Sequence, residues 1–197
     1  MPLNILRNVS YLPMLALTLT PSLAASEPAA RPASPAVLLT ESQNWGFESE
    51  ASRLLREIQS LAADLESDAS TLESFTRNPL HWHSHAARLS LVREHINAIG
   101  KRLERLQSIK YVTTPWQQRA IDDIVAVAVP LAAHTQSAIL HLNDNRNNLY
   151  APTHSEHLTT ISERSDAMKD TVDSFLDFAG AQQKLKRLQE RVGLVAS

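Results

Sequence analysis

Histidine is the residue type whose positions in this chain suggest chemistry. Six of the eight histidines lie near the ends of predicted helices, where an antiparallel bundle would bring them together. These six are His81, His83, His85, His141, His154 and His157. Imidazole binds zinc and copper and gains a proton near neutral pH, so this group has the chemistry to hold a metal ion or to respond to acid.

Helical geometry narrows the six histidines to one layer. Counting residues outward from the predicted loops places His85 level with His141, and His141 level with His154. The same count places His85 opposite Ala69, the neighbour of Asp68. We therefore predict a site for zinc, copper or another divalent ion at one end of a bundle. Its candidate ligands are His85, His141 and either His154 or His157, with Asp68 as the carboxylate.

Two other interpretations of these histidines stay open. A layer of imidazoles that gains protons at low pH would loosen the bundle, because burial disfavours the charged form. Alternatively, the end of a bundle is in contact with water, and histidines there need no special role. Helical geometry also places His81 and His83 toward the rim of the layer, since residues two apart point to different sides of a helix.

The motifs that identify several enzyme classes do not occur in this sequence. It contains no HExxH zinc motif, no glycine-rich phosphate loop, no GxSxG turn and no Glu-x-x-His pair of the di-iron type. Because there are no cysteines, haem c attachment, zinc–thiolate sites and cysteine nucleophiles are excluded. A net charge of −2 does not favour nucleic acid as a partner.

The first 25 residues have the pattern of a secretory signal peptide. Arg7 is their only charge, an apolar run extends over residues 11–20, and Pro21 ends that run. We expect cleavage near Ala24 or Ala25, with an uncleaved membrane anchor as the alternative. The run is about half as long as a membrane span needs to be. The sequence thus predicts a periplasmic or secreted protein without a transmembrane helix in the mature chain.

A linker and four helices follow this segment. Residues 26–37 are rich in proline, alanine and serine, which is typical of a disordered linker. Four helix starts are marked by Thr40 with Gln43, Asn78 with Pro79, Thr114 with Gln117, and Thr153 with Glu156. Apolar residues recur at spacings of three and four after each start. We predict helices over 41–75, 79–109, 115–143 and 153–191, in a bundle domain of residues 38–192 with a tail of residues 193–197.

The short connections between these helices favour an all-α fold, an antiparallel up-down-up-down four-helix bundle with long helices. Only 4 glycines and 5% aromatic residues argue against a β-sandwich or a barrel. In the last helix the apolar stripe shifts phase and continues at Leu185, Leu188 and Val192, as in a coiled coil whose winding changes.

Four positions inside the predicted helices qualify this picture. Pro130 removes a backbone hydrogen bond, so we expect a kink in the third helix. His95 lies opposite Pro130 by residue count; it either donates to the freed carbonyl of Ala126 or faces solvent beside the stripe. Gly100 permits a close approach of two helices or is a mildly unfavourable surface glycine. Ser165 interrupts the fourth stripe and is either a satisfied core hydroxyl or part of a cavity.

Three segments of the chain carry a resemblance to known proteins. They are Ser84 to Leu106, Pro115 to Ile121 and His141 to Asn143. In these segments the chain resembles a family of small exported helical proteins from environmental bacteria, a family with no assigned activity. The resemblance implies a secreted bundle and transfers no catalytic residues.

The sequence leaves two functions open. The favoured one is a non-enzymatic module of the cell envelope that binds a protein partner or associates with itself. The alternative is a bundle that binds zinc or copper through its histidine layer, as a metal-dependent hydrolase or a metal buffer. The first predicts an apolar stripe on an outer face, and the second predicts metal that stays bound during purification.

Overall fold

Four long α-helices make up most of the chain that the structure describes. The computed structural model describes residues 36–77, 81–146, 148–149 and 151–195. The helices are α1 (Ala36–Ser74), α2 (Trp82–Ile109), α3 (Pro115–Asp144) and α4 (Pro152–Val195), with a short 3-10 helix over Lys110–Val112. No strand occurs among these residues, which confirms the all-helical prediction. The predicted signal peptide and nearly all of the predicted linker lie outside the described residues.

The four helices pack against each other around one apolar core. Helices α1 and α3 each contact both α2 and α4. Every stripe predicted from the spacing of apolar residues contributes to the core, because positions three and four apart share one face of a helix. The largest fully buried side chains are Leu55, Ile58, Leu65, Leu72, Leu89, Ile99, Leu106, Ile121, Ile124, Leu131, Leu158 and Ile161.

The first and last helices are longer than the sequence predicted. Helix α1 begins at Ala36, so residues 36–37 of the predicted linker are helical and Thr40 lies inside the helix rather than at its start. The alanine and leucines that precede Thr40 are strong helix formers. Helix α4 begins at Pro152, which is well suited to a first helical position, and Thr153 therefore lies within its first turn. It continues to Val195, which makes residues 193–195 of the predicted tail helical.

The start of α3 is the best-defined helix end. The side-chain oxygen of Gln117 accepts a hydrogen bond from the backbone N–H of Thr114 at 3.1 Å, as the predicted capping box requires. The amide nitrogen of Gln117 donates to the carbonyl oxygen of Glu48 and to Oγ of Ser52, both at 2.9 Å. One buried side chain thus caps α3 and joins it to α1. Helix α2 begins at Trp82, and the Asn78–Pro79 signal lies outside the described residues.

The structure gives different environments to three of the positions singled out inside the helices, Pro130, Ser165 and Gly100. Pro130 lies within α3, which runs as one helix from Pro115 to Asp144. Oγ of Ser165 donates to the carbonyl of Ile161 at 2.7 Å, so this residue is a satisfied core hydroxyl. A Cβ at Gly100 would meet nothing within 4 Å, so this glycine does not serve a close approach of helices. It lines a groove of about 560 Å³ between α2 and α3, with buried Met168 among its other lining residues.

Among the described helices, α3 alone is long and apolar enough to cross a membrane by length and composition. It also supplies Ile124, Leu131 and Ala138 to the core and packs against α2 and α4. The expectation that the mature chain has no transmembrane helix stays a prediction.

Candidate functional site

Five histidines from three helices form two neighbouring groups of contacts. Helix α2 contributes His85, α3 contributes His134 and His141, and α4 contributes His154 and His157. We call these five residues the histidine cluster. His154 and His157 are three residues apart in the first turns of α4 and therefore lie on one side of that helix.

Two close pairs of ring nitrogens define the geometry of the histidine cluster. Nε2 of His154 lies 3.4 Å from Nδ1 of His85. Nδ1 of His157 lies 3.4 Å from Nδ1 of His134. The ring of His141 stacks on that of His154, with centroids 5.0 Å apart and planes 17° apart. His154 is therefore the residue that joins the α2 and α3 contributions.

The histidine cluster includes side chains that are removed from water. His154 is 0% exposed and His85 is 3% exposed. The ring of Phe75 contacts His85 edge-on at 5.2 Å between centroids, which gives this side of the cluster an apolar wall. Burial of this kind disfavours a charged imidazolium.

The electrostatic environment keeps His154 neutral at physiological pH. Burial, together with the neighbouring His85, His141 and His157, lowers the pKa of His154 from 6.5 to about 4. Burial also lowers the pKa of His85. The pKa of His157 is lowered first by burial and then by His134, against the opposing effect of Glu156. A neutral imidazole is the form that binds metals and exchanges hydrogen bonds.

Most of the predicted site residues do meet, but Asp68 does not join them. His85, His141 and His154 form one contiguous group, and His157 contacts His134. The carboxylate of Asp68 instead forms an ion pair with Arg88 and lies 3.1 Å from Nε2 of His95. His95 therefore contacts a carboxylate of α1 rather than the carbonyl of Ala126, and its side chain is 22% exposed.

His134 is the cluster member that the sequence analysis missed. His134 lies two turns from His141 on the same helix, so these two residues are too far apart to share one ion. Its partner is on another helix, since His157 projects from α4 toward it. The signal was available: His134 and His141 are seven residues apart and continue the apolar stripe of α3.

The two histidines at the start of α2, His81 and His83, lie on the rim, as predicted. His81 and His83 are exposed and stack on each other at 5.2 Å, and His83 also stacks on Trp82. The guanidinium of Arg146 lies 4.7 Å from the centre of the Trp82 ring, a cation–π contact that holds the α3–α4 connection against α2. These contacts involve solvent-facing side chains and are separate from the buried cluster.

The arrangement sets a limit on metal binding. Within the described part of the chain, no three histidine or carboxylate side chains converge on a point that could hold an ion as they stand. The two nitrogen pairs offer two ligands each, and His141 lies parallel to His154 rather than aimed at the same point. A third protein ligand would require a side chain to rotate.

A second candidate surface lies at the far end of α4. Every residue from 180 to 193 is exposed, and apolar residues recur among them at spacings of three and four. Leu185, Leu188 and Val192 are 57%, 47% and 68% exposed. Phe178 and Ala181 extend the same row toward the bundle. We call these five residues the α4 stripe; Leu185, Leu188 and Val192 are the predicted phase-shifted positions of the fourth stripe, and none of the five enters the core.

No protein-family model matches the chain, and comparisons with curated proteins and with solved structures also find no match. The resemblance to exported helical proteins of environmental bacteria therefore stays a prediction. The function has to be inferred from the histidine cluster and the α4 stripe themselves.

Proposed function

We propose that this protein is an exported, non-enzymatic helical bundle that acts as an interaction module of the cell envelope and pairs with a second copy of itself through the α4 stripe. The observation that carries the proposal is the exposure of the last turns of α4. Residues 180–193 form a helix whose side chains are all exposed, although its apolar positions repeat with the regularity of a buried face.

An exposed helix of this length is poorly stable by itself. Isolated helices shorter than about 12–15 residues are marginal in water, because helical stability in proteins comes mainly from packing an apolar face. The α4 stripe has the alternating three and four spacing of coiled-coil a and d positions. A second helix with the same spacing is the partner that buries such a row.

The charges beside the stripe are compatible with a parallel pair of identical helices. If Leu185 is an a position, then Lys184 is at g, and in a parallel dimer it lies across from Gln189 of the second copy. Asp177 likewise lies across from Gln182. Self-pairing in the parallel sense therefore meets no like-charge contact at these positions. An antiparallel pair would bring Lys184 beside Asp177, Lys184 or Arg191 of the second copy, depending on the register.

The proposal includes an up-down-up-down order of the four helices. Ion pairs between α1 and α2 support it, because their residue numbers run in opposite directions. Glu50 pairs with Arg105 at 2.8 Å, Glu57 with Arg102 at 3.0 Å, and Asp68 with Arg88. A parallel pair of helices would not produce this ordering. The short connections after α2 and α3 favour the same arrangement for the later helices.

Export is the remaining part of the proposal. Residues 1–25 support it through their single charge, their short apolar run and the small residues near Ala24 and Ala25. Mass spectrometry of the protein recovered from an expressing bacterial culture tests this part. A mature chain that begins at Ala25 or Ser26 in the periplasmic or secreted fraction is expected, and an intact chain in the cytoplasm would contradict it.

The molar mass in solution tests self-pairing. We expect light scattering on the purified chain to give the mass of two copies, and the double variant Leu185→Glu with Leu188→Glu to give the mass of one. Both leucines are exposed, so the substitutions leave the core intact. Val129→Glu is the matched control, since Val129 is 65% exposed on α3 and outside the stripe. A monomeric wild-type chain, or a double variant that still pairs, would refute the proposal.

A further inference from the structure

Two buried ring nitrogens of the histidine cluster have no hydrogen-bond partner. They are Nε2 of His141 and Nδ1 of His154, whose rings stack on each other. Arg164 holds the only other such buried side-chain atom in the described part of the chain. A buried polar atom without a partner costs about 1–3 kcal/mol, so two at one place call for a ligand or another compensating interaction.

The spacing of the nearest pair is that of two ligands to one ion. Nδ1 of His85 and Nε2 of His154 are 3.4 Å apart, which is long for a hydrogen bond. Two imidazole nitrogens that each lie about 2.0–2.1 Å from a tetrahedral zinc ion are about 3.3 Å from each other. The observed separation therefore suits a shared ion better than a direct contact.

We propose that Nδ1 of His85 and Nε2 of His154 bind one zinc ion, and that His141 supplies a third imidazole by rotating off the ring of His154. Nε2 of His141 has no partner to lose, so this rotation breaks no hydrogen bond. Water takes the remaining position. Asp68 is not a ligand, because Arg88 and His95 hold its carboxylate elsewhere.

The chemistry of the donors supports zinc over the hard cations. Three neutral imidazoles suit zinc or copper, whereas magnesium and calcium prefer oxygen ligands. A bound ion gives the unpartnered Nε2 of His141 a partner. The two pairs of this cluster are distinct, and only the His85–His154 pair adjoins the unpartnered atoms.

Titration of the metal-free protein with zinc chloride tests the site. The full chain is purified without a histidine tag, stripped with a chelator and followed by calorimetry and by thermal unfolding. We expect one ion per chain and a higher melting temperature with zinc. Cobalt(II) in place of zinc should give the visible absorption of a four-coordinate ion. Absence of heat, of a thermal shift and of the cobalt band in the wild-type protein would overturn the proposal, whatever the variants do.

Variants place the ion within the cluster. His154→Leu and His85→Gln should each abolish the cobalt band, while circular dichroism shows that they remain helical. His83→Ala and His134→Ala are the matched controls and should retain it, because His83 is on the exposed rim and His134 belongs to the other pair. Loss of the band in either control would overturn the assignment. The proposed metal site lies at the start of α4 and the proposed pairing surface at its end. A negative result for metal binding would therefore leave the proposal of self-pairing intact, and the reverse also holds.

Discussion

At the scale of single residues, His154 is the titratable side chain whose surroundings most oppose a charge in the described part of the chain. It is completely buried, and the side chains closest to its ring are other imidazoles. Protonation would place a charge in an apolar site beside groups that repel it. The folded protein therefore binds fewer protons at this residue than the unfolded chain does.

This difference predicts a loss of stability in acid. The pKa of His154 is about 4 in the folded protein, against an ordinary value of 6.5 for histidine. The contribution of neutral His154 to the free energy of unfolding is therefore complete above pH 6.5. This contribution falls by about 3 kcal/mol in total as the pH drops toward 4. Urea unfolding of chelator-treated protein at several pH values measures it. His154→Leu should flatten this dependence by that amount, whereas the exposed control His83→Leu should leave it unchanged; equal slopes in all three proteins would contradict the assignment.

The sequence located the histidine layer but misjudged its register against α1. Counting from a turn at residues 76–77 placed His85 opposite Ala69, whereas the Asp68–Arg88 ion pair places Thr71 level with His85 by the same residue count. The helices end and begin at Ser74 and Trp82, so the connection is longer than the count assumed, and the register moves by about two residues, roughly half a turn. Asp68 consequently faces Arg88 and His95. Residue counts along a helix cannot reveal the length of the turn from which they start.

At the scale of helices, two positions show how local sequence determines stability. Gln117 satisfies a backbone donor at the start of α3 and bonds to two atoms of α1. Gly100 contributes no contact that a larger residue would disturb. The first is therefore expected to stabilise the bundle and the second to weaken it.

Gln117→Ala should destabilise the protein by about 2 kcal/mol, because it removes three part-buried hydrogen bonds that cap α3 and join it to α1. Chemical unfolding monitored by circular dichroism measures the change. Arg119→Ala, which removes an exposed ion pair with Asp123 on the same helix, is the control and should cost less than about 0.5 kcal/mol. Similar losses in the two variants would show that Gln117 does not join α3 to α1.

Gly100→Ala should raise the free energy of unfolding by about 0.5–1 kcal/mol, since alanine restricts the unfolded chain and favours helix. The same unfolding experiment measures it. A decrease would mean that the α2–α3 groove is closed at this point and that the glycine is needed for close packing.

The sequence predicted the helices well because their signals are local. Apolar spacing identified the buried faces, and Thr114 with Gln117 marked the start of α3. The errors lie at ends where several signals compete. Thr40 resembles a cap, yet strong helix formers before it extend α1 to Ala36. The local sequence also could not predict which apolar row of α4 enters the core, because burial depends on where the neighbouring helices end.

At the scale of the whole molecule, α4 connects the histidine cluster to the α4 stripe. Its first turns supply His154 and His157 to the histidine cluster. Its last turns carry the α4 stripe away from the core. We therefore propose ligand binding at one end of this helix and pairing with a second copy at the other.

Cross-linking through a single introduced cysteine tests the pairing most directly. The natural chain has no cysteine, so Leu188→Cys carries a unique thiol. In a parallel dimer the two copies of residue 188 face each other at a d position, and their Cα atoms are close enough for a disulfide. Gln183→Cys, on the opposite side of α4, is the matched control. The account predicts rapid formation of a disulfide-linked dimer from Leu188→Cys and little from Gln183→Cys under mild oxidation; equal yields from the two, or no dimer from Leu188→Cys, would contradict it.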